Sequence, residues 1–202
     1  MKALIVVDIQ NDFLPGGALA VPEGDKVIEV INRLMSGFDL VVATQDWHPA
    51  NHGSFASAHQ GMKPFETGYL GGVQQVFWPD HCVQGTSGAG ISDLLNQNRI
   101  EAVFRKGTNP LIDSYSGFFD NARKKSTGLA AYLHGLQVSE LFVAGLAADY
   151  CVGFTAIDGL ELGFQTTLIE DATRPISPEG FLSIKNQLMQ LGGKVIFSSQ
   201  LM

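Results

Sequence analysis

Six short apolar runs recur along the chain, and helical patterns or long polar segments separate them. The first, residues 3–7 (ALIVV), is continuous rather than alternating, as expected of a strand buried on both faces. Residues 40–44 (LVVAT), 102–105 (AVFR), 141–144 (LFVA), 165–169 (QTTLI) and 194–197 (KVIF) supply the other five. Helical spacing occupies residues 27–35, stopped by Gly37, and residues 91–97. Thr127 can cap a helix running to about His134, with Gly135 behind it. Residues 151–162 form another helix, ended by Gly163. Ser177-Pro178, a cap followed by proline at the first helical position, opens one that runs to Leu191 before Gly192-Gly193. Strands alternating with helices need crossovers, and right-handed crossovers generate a parallel sheet covered on both sides. The predicted class is α/β: a doubly wound, mainly parallel six-stranded sheet, with residues 1–202 forming a single domain.

Composition narrows the partners. The chain is 45% apolar and 16% charged, enough for a core and unlike a disordered segment. Its formal charge is −7, from 13 basic and 20 acidic residues. Nucleic acids and anionic membranes call for clustered Lys and Arg, so neither is expected as a partner. The basic run Arg123-Lys124-Lys125 reads as a solvated face. Two cysteines make no disulfide framework and point to a reducing compartment. Asp8 interrupts the first apolar run too early for a signal peptide, and no later run approaches membrane-spanning length. The expectation is a soluble cytoplasmic protein acting on a small molecule, with a homo-oligomer left open. Residues 48–86 and 107–126 resist assignment. Both follow strands and leave the same sheet edge, and loops that long are usually functional.

In an open parallel sheet, ligands bind beyond the carboxyl ends of the strands. The first four strands in sequence each deliver a reactive side chain there: Asp8, then Asp46 and His48, then Lys106, then Cys151. Cys151 opens a helix, where free N–H groups and the dipole favour a thiolate. Each residue alone has an ordinary reading as a buried small side chain, a cap or a surface lysine. Together, thiol, carboxylate and ammonium suggest a nucleophile, its base and an organising cation. Asp46 and His48 stand two apart on extended chain and so point the same way. With His81 they make a three-ligand set that suits zinc, iron or manganese and leaves positions for water or substrate. His52 and His59 are further candidates but are set aside, and Cys82 is taken as packing. Phe13, Trp78 and Tyr115 lie in segments leaving the same edge and offer walls for a flat aromatic ligand.

The stretches VVDIQNDFLPGGAL, TQDWHPANHGSF, FWPDHCVQGT, RKGTNPLIDSYSGF and GLAADYCV resemble the nicotinamidases, within the isochorismatase-like cysteine hydrolases. The motifs follow the family order over residues 5–152, and IEDATR at 169–174 continues the match. The resemblance implies hydrolysis of nicotinamide to nicotinate and ammonia in pyridine-nucleotide salvage, with pyrazinamide as a related substrate. It implies a catalytic triad of Asp8, Lys106 and Cys151 and one divalent metal ion, zinc first, on Asp46, His48 and His81. Phe13 and Trp78 would flank the pyridine ring. A cis peptide between Leu146 and Ala147 would turn the Ala147 N–H toward that of Cys151 as an oxyanion hole. Some members have a fourth protein ligand, which the His52 region could supply. The alternatives are a metal-independent carbamoyl or ureido amidohydrolase of the same family, or a non-catalytic metal- or pyridine-binding protein. A thiol redox protein is disfavoured by the lack of a C-x-x-C pair.

Overall fold

Alternate residues of the first strand belong to two different cores. Ala3, Ile5 and Val7 face one side with Leu141, Val143 and Leu168, while Leu4 and Val6 face the other with Val41, Ala43 and Phe142. Both sets are buried, which is why the strand is continuously apolar. The computed structural model describes residues 1–201. In chain order the elements are β1 (Lys2–Val7), α1 (Lys26–Leu34), β2 (Leu40–Asp46), β3 (Thr67–Leu70), β4 (Val73–Val76), β5 (Ala102–Lys106) and α2 (Leu129–Gly135). They continue as β6 (Glu140–Leu146), α3 (Cys151–Glu161), β7 (Gln165–Arg174), α4 (Pro178–Gln190) and β8 (Lys194–Ile196). Six strands form one sheet in the order β5-β2-β1-β6-β7-β8, and every ladder in it is parallel. Helix α1 packs one face with Val27, Ile28, Ile31 and Leu34; α2, α3 and α4 cover the other.

The strand order reverses direction between β1 and β6, and the crevice at such a switch point is where ligands bind. β1 hands over to Asp8, and β6 leads through a short turn to Cys151 at the start of α3. On the β1 side, Asp46 pairs in register with Lys106, so the last residues of β2 and β5 lie side by side. Gly145, at φ +123, lies where the β6–β7 register shifts; a Cβ there would come within 2.0 Å of the Val7 carbonyl oxygen. Only glycine lets β6 run that close to β1.

Several expectations are corrected. Residues 91–97 are not a helix: Ile91 bridges Gln10, and the Ser92 N–H donates to the Ile9 carbonyl at 2.9 Å. Those bonds to the turn after β1 take the backbone groups a helix would use, and only a 3₁₀ turn follows at Gln97–Arg99. Thr127 is not the cap residue of α2, because Gly128 at φ 92 precedes the helix, but its hydroxyl still accepts from the Leu129 N–H at 3.2 Å. Ser177 does cap α4, accepting from the Gly180 N–H at 3.2 Å. Residues 48–86 contain a hairpin, β3 to β4, whose turn at Gly71 and Gly72 needs φ values of 62 and 87. Arg123 is more than a solvated side chain: it pairs with Asp158 and Glu161 on α3 and lies over the Phe119 ring. No helix among the described residues is long and apolar enough to cross a membrane.

Candidate active site

Lys106 is the hub of the crevice. Its ammonium lies 2.6 Å from Asp46 Oδ1, 2.9 Å from Asp8 Oδ2, 3.0 Å from the Ser114 carbonyl and 3.2 Å from Cys151 Sγ. The side chain is fully buried. Burial opposes its charge, but Asp46, Asp8 and Cys151 outweigh that and raise it well above an ordinary lysine. Asp8 is also fully buried, and Thr44 donates to its Oδ1 at 2.6 Å. Its Oδ2 faces Lys106 closely but off the line of a hydrogen bond, and no donor is aimed at it. Burial raises the Asp8 carboxyl; Lys106 opposes, and the Asp46 charge adds to the rise.

Cys151 is the first residue of α3, as expected, but the helix terminus does not decide its state. Burial pushes the thiol well up against the pull of Lys106, and Asp8 and Asp46 push it further. Burial and the two carboxylates thus favour the neutral thiol, against the thiolate expected from the helix position. A carboxylate oxygen of Asp8, one of Asp46 and the Cys151 sulfur all lie within 4.8 Å of one another. The thiol proton thus has a base at hand. Cys82 is also buried and free, but it serves through its backbone. Its N–H donates to Asp12 at 2.7 Å and its carbonyl accepts from the His48 N–H at 3.0 Å.

The second group meets the first through Asp46. One oxygen of Asp46 takes Lys106; the other lies 3.7 Å from His48 Nε2. Burial works against the Asp46 charge, but Lys106 and His48 hold its carboxyl well below the usual range. His48 is tied by Nδ1 to the Gly107 carbonyl at 2.9 Å, and His81 by Nδ1 to the Pro79 carbonyl at 2.7 Å. A carbonyl only accepts, so both rings carry a proton on Nδ1 and leave Nε2 as the atom that could ligate a metal. Burial and the neighbouring His48 lower His81 to about 4, which keeps it neutral. Asp46, His48 and His81 each offer a donor atom within 4.8 Å of the others. A carboxylate and two correctly tautomerised imidazoles fit a divalent ion, with backbone carbonyls as the outer partners that such ligands require.

Phe13, Trp78 and Tyr115 line the cleft between the two groups, with Ala147, Asp46, His81 and Cys151. The peptide between Leu146 and Ala147 is cis. Trp78 and Tyr115 both meet Tyr150 edge-on, at 4.8 and 5.3 Å between ring centres. His59 lies outside the group, bonded to the Gly53 carbonyl and packed on Phe77. Sequence reasoning passed over Thr44, Gln10, Tyr150 and Asp113. Gln10 clamps the Asp46 backbone, donating to its carbonyl and accepting from its N–H, both at 2.8 Å. Gln10 and Asp113 lie inside the VVDIQND and IDSYSGF stretches, so a polar side chain close to a strand end was the signal available.

A buried thiol with a carboxylate in reach, at the switch point of a parallel sheet and beside a metal-type donor set, defines a doubly wound α/β enzyme of the cysteine hydrolase class. The Isochorismatase domain model matches residues 2–200, and the chain belongs to the isochorismatase family. It is similar to the nicotinamidase of Escherichia coli, at 54% identity over 87% of this chain and 84% of that protein. Among solved structures it resembles an Acinetobacter baumanii nicotinamidase, with a TM-score of 0.96 at 44% identity, covering 100% of this chain and 98% of the other. A Pyrococcus horikoshii pyrazinamidase in complex with zinc superposes with a TM-score of 0.79 at 38% identity, covering 97% of this chain and 98% of the other.

Proposed function

We propose that this enzyme hydrolyses nicotinamide to nicotinate and ammonia, accepts pyrazinamide as well, and works in pyridine-nucleotide salvage. The observation that carries the reading is Lys106, which touches the Cys151 thiol and the Asp8 and Asp46 carboxylates at once. It ties a nucleophile and base to a metal-type ligand within one aromatic cleft. The similarity to nicotinamidases of E. coli and A. baumanii supplies the substrate.

Asp8 Oδ2, which no hydrogen bond engages, accepts the thiol proton as Sγ attacks the amide carbonyl. The N–H groups of Ala147 and Cys151 donate to the oxygen that gains charge. Protonated Asp8 gives its proton to the departing ammonia and leaves a thioester. Asp8 then takes a proton from water as the water oxygen bonds to the thioester carbon; the C–S bond breaks, nicotinate leaves, and Asp8 returns the proton to Cys151 Sγ. Lys106 keeps the local charge balanced while the proton moves. Phe13, Trp78 and Tyr115 hold the flat ring so that the carbonyl meets the sulfur. Asp46, His48 and His81 would hold a divalent ion, which supplies a Lewis-acidic anchor for the pyridine nitrogen. Zinc is the ion we assign, supported by the donor set and by the zinc complex of the Pyrococcus relative. The two unpaired cysteines are in keeping with a cytoplasmic location.

Ammonia release from nicotinamide tests this directly. The purified protein should release it, and Cys151→Ala should lose at least ~10⁴-fold of that activity while still binding nicotinamide. Comparable turnover in the variant would remove the covalent mechanism.

A further inference from the structure

Three buried imidazoles meet beside the cleft. His48 lies 4.3 Å from His52 and 5.0 Å from His81, centre to centre. His52 looks like the missing fourth ligand, yet its hydrogen bonds run the opposite way to those of the other two. The Ser54 backbone N–H reaches His52 Nδ1 at 3.2 Å, and the Ser54 hydroxyl lies 2.7 Å from the same nitrogen. A backbone N–H can only donate, so Nδ1 carries the lone pair and the proton of the neutral ring sits on Nε2. A protonated nitrogen cannot ligate a metal. It can only donate, and this one is buried with no acceptor among the described residues. A buried donor of that kind is costly unless something completes it.

Asp113 stands on the other side. It is 3% exposed, and its carboxylate lies within 4.8 Å of a nitrogen from His48 and one from His52. The carboxylate is fixed, accepting from the Ser114 N–H at 2.8 Å and the Gln75 amide at 2.9 Å. Asp113 also lines the same cleft as His81 and Cys151. Two hydrogen bonds of about 2.8 Å meeting at a water oxygen reach across as much as about this distance, so a single water can join the two side chains.

We propose that His52 is a positioning residue and not a ligand: its Nε2–H donates to a water of the metal's coordination sphere, and Asp113 accepts from that same water. The pair would fix the orientation of that water. This rests on the metal-dependent reading of the cleft. A ligand would need His52 in the other tautomer, with the Ser54 N–H contact broken.

The test uses the zinc-loaded protein and long-range ¹⁵N–¹H correlation of its histidine rings. His48 and His81 should carry their proton on Nδ1 with a zinc-shifted Nε2, while His52 should be neutral with its proton on Nε2. A His52 ring protonated on Nδ1 with a zinc-shifted Nε2 would overturn the proposal, and this reading needs no variant to fold. Zinc titrations give a second readout. His52→Ala should still take one zinc, about 10- to 100-fold more weakly, as expected when an outer partner is lost. His52→Gln, whose amide N–H can occupy the Nε2 position, should recover most of that affinity, and Asp113→Asn should weaken it as His52→Ala does. Complete loss of zinc in His52→Ala, no recovery in folded His52→Gln, or unchanged affinity in Asp113→Asn would each refute it. None of these measurements uses nicotinamide. A protein that binds zinc in this way but releases no ammonia would refute the nicotinamidase reading alone.

Discussion

At the scale of single residues, the site runs on a proton held between unlike groups. Asp8 lies above the usual carboxylate range because burial outweighs Lys106, and Cys151 lies well above an ordinary thiol for the same first reason. Asp8 must be ionised to act as a base, so activity is present above its pKa and is lost as pH falls through it. The acid limb of kcat/KM should therefore stand above the usual carboxylate value of 3.8. The limb belongs to the coupled Asp8, Lys106 and Cys151 group rather than to Asp8 alone. Asp8→Asn has nearly the same shape and should reduce turnover by ~10²–10⁴-fold and flatten that limb. A pH profile of the folded variant that keeps the wild-type limb would place the base elsewhere.

At the scale of elements, the strand ends matter more than the strand interiors. β5 ends at Lys106, and the next residue, Gly107, turns at φ +63. A Cβ on Gly107 would lie 2.3 Å from His48 Cε1 and 2.5 Å from its Nδ1, while the Gly107 carbonyl is the acceptor that sets the His48 tautomer. One backbone position thus gives the ring both its room and its proton. Gly107→Ala should weaken zinc binding by at least ~10-fold, because it displaces a ligand from its outer partner. It should also cost about 1 kcal/mol of stability from the left-handed backbone alone. Isothermal titration with zinc and a urea midpoint separate the two effects. Unchanged zinc affinity would mean that the loop after β5 yields without moving His48.

At the scale of the whole molecule, the two apolar cores flank the sheet and the polar site caps one edge, so folding and metal binding are separable. Asp46 is the last residue of β2, and His48 and His81 lie in the segments beyond it, past the strand interiors that carry both cores. Chelated protein should therefore still unfold in one cooperative transition, only at lower temperature. An ion present at 100 times its Kd adds about 2.7 kcal/mol. In a chain of this length that corresponds to roughly 5–10 °C in Tm. Scanning calorimetry with and without chelator reads the difference. A non-cooperative or absent transition in the chelated protein would show that the metal is part of the core, contrary to this division.

The parallel α/β class, the six sheet strands and the strand-end residues Asp8, Asp46, Lys106 and Cys151 were legible because their signals are local: a continuous apolar run, then a polar side chain where burial ends. The β3–β4 hairpin was legible in principle from Gly71-Gly72 but lacked long apolar runs around it. The helix expected at 91–97 failed because periodicity is blind to competition: the turn after β1 claims the backbone of Ile91 and Ser92. The state of Cys151 needed three dimensions, since its helix position argues for a thiolate, while its burial, with Asp8 and Asp46 packed nearby, argues more strongly for a thiol. The histidines make the same point at finer grain. Sequence determined that His48, His52 and His81 could meet beyond the strand ends, because residue type and order are written in the chain. Which of them keeps a lone pair on Nε2 was decided only by the tertiary structure, because a tautomer is chosen by its partner. For His48 and His81 that partner is a backbone carbonyl, and for His52 it is a backbone N–H.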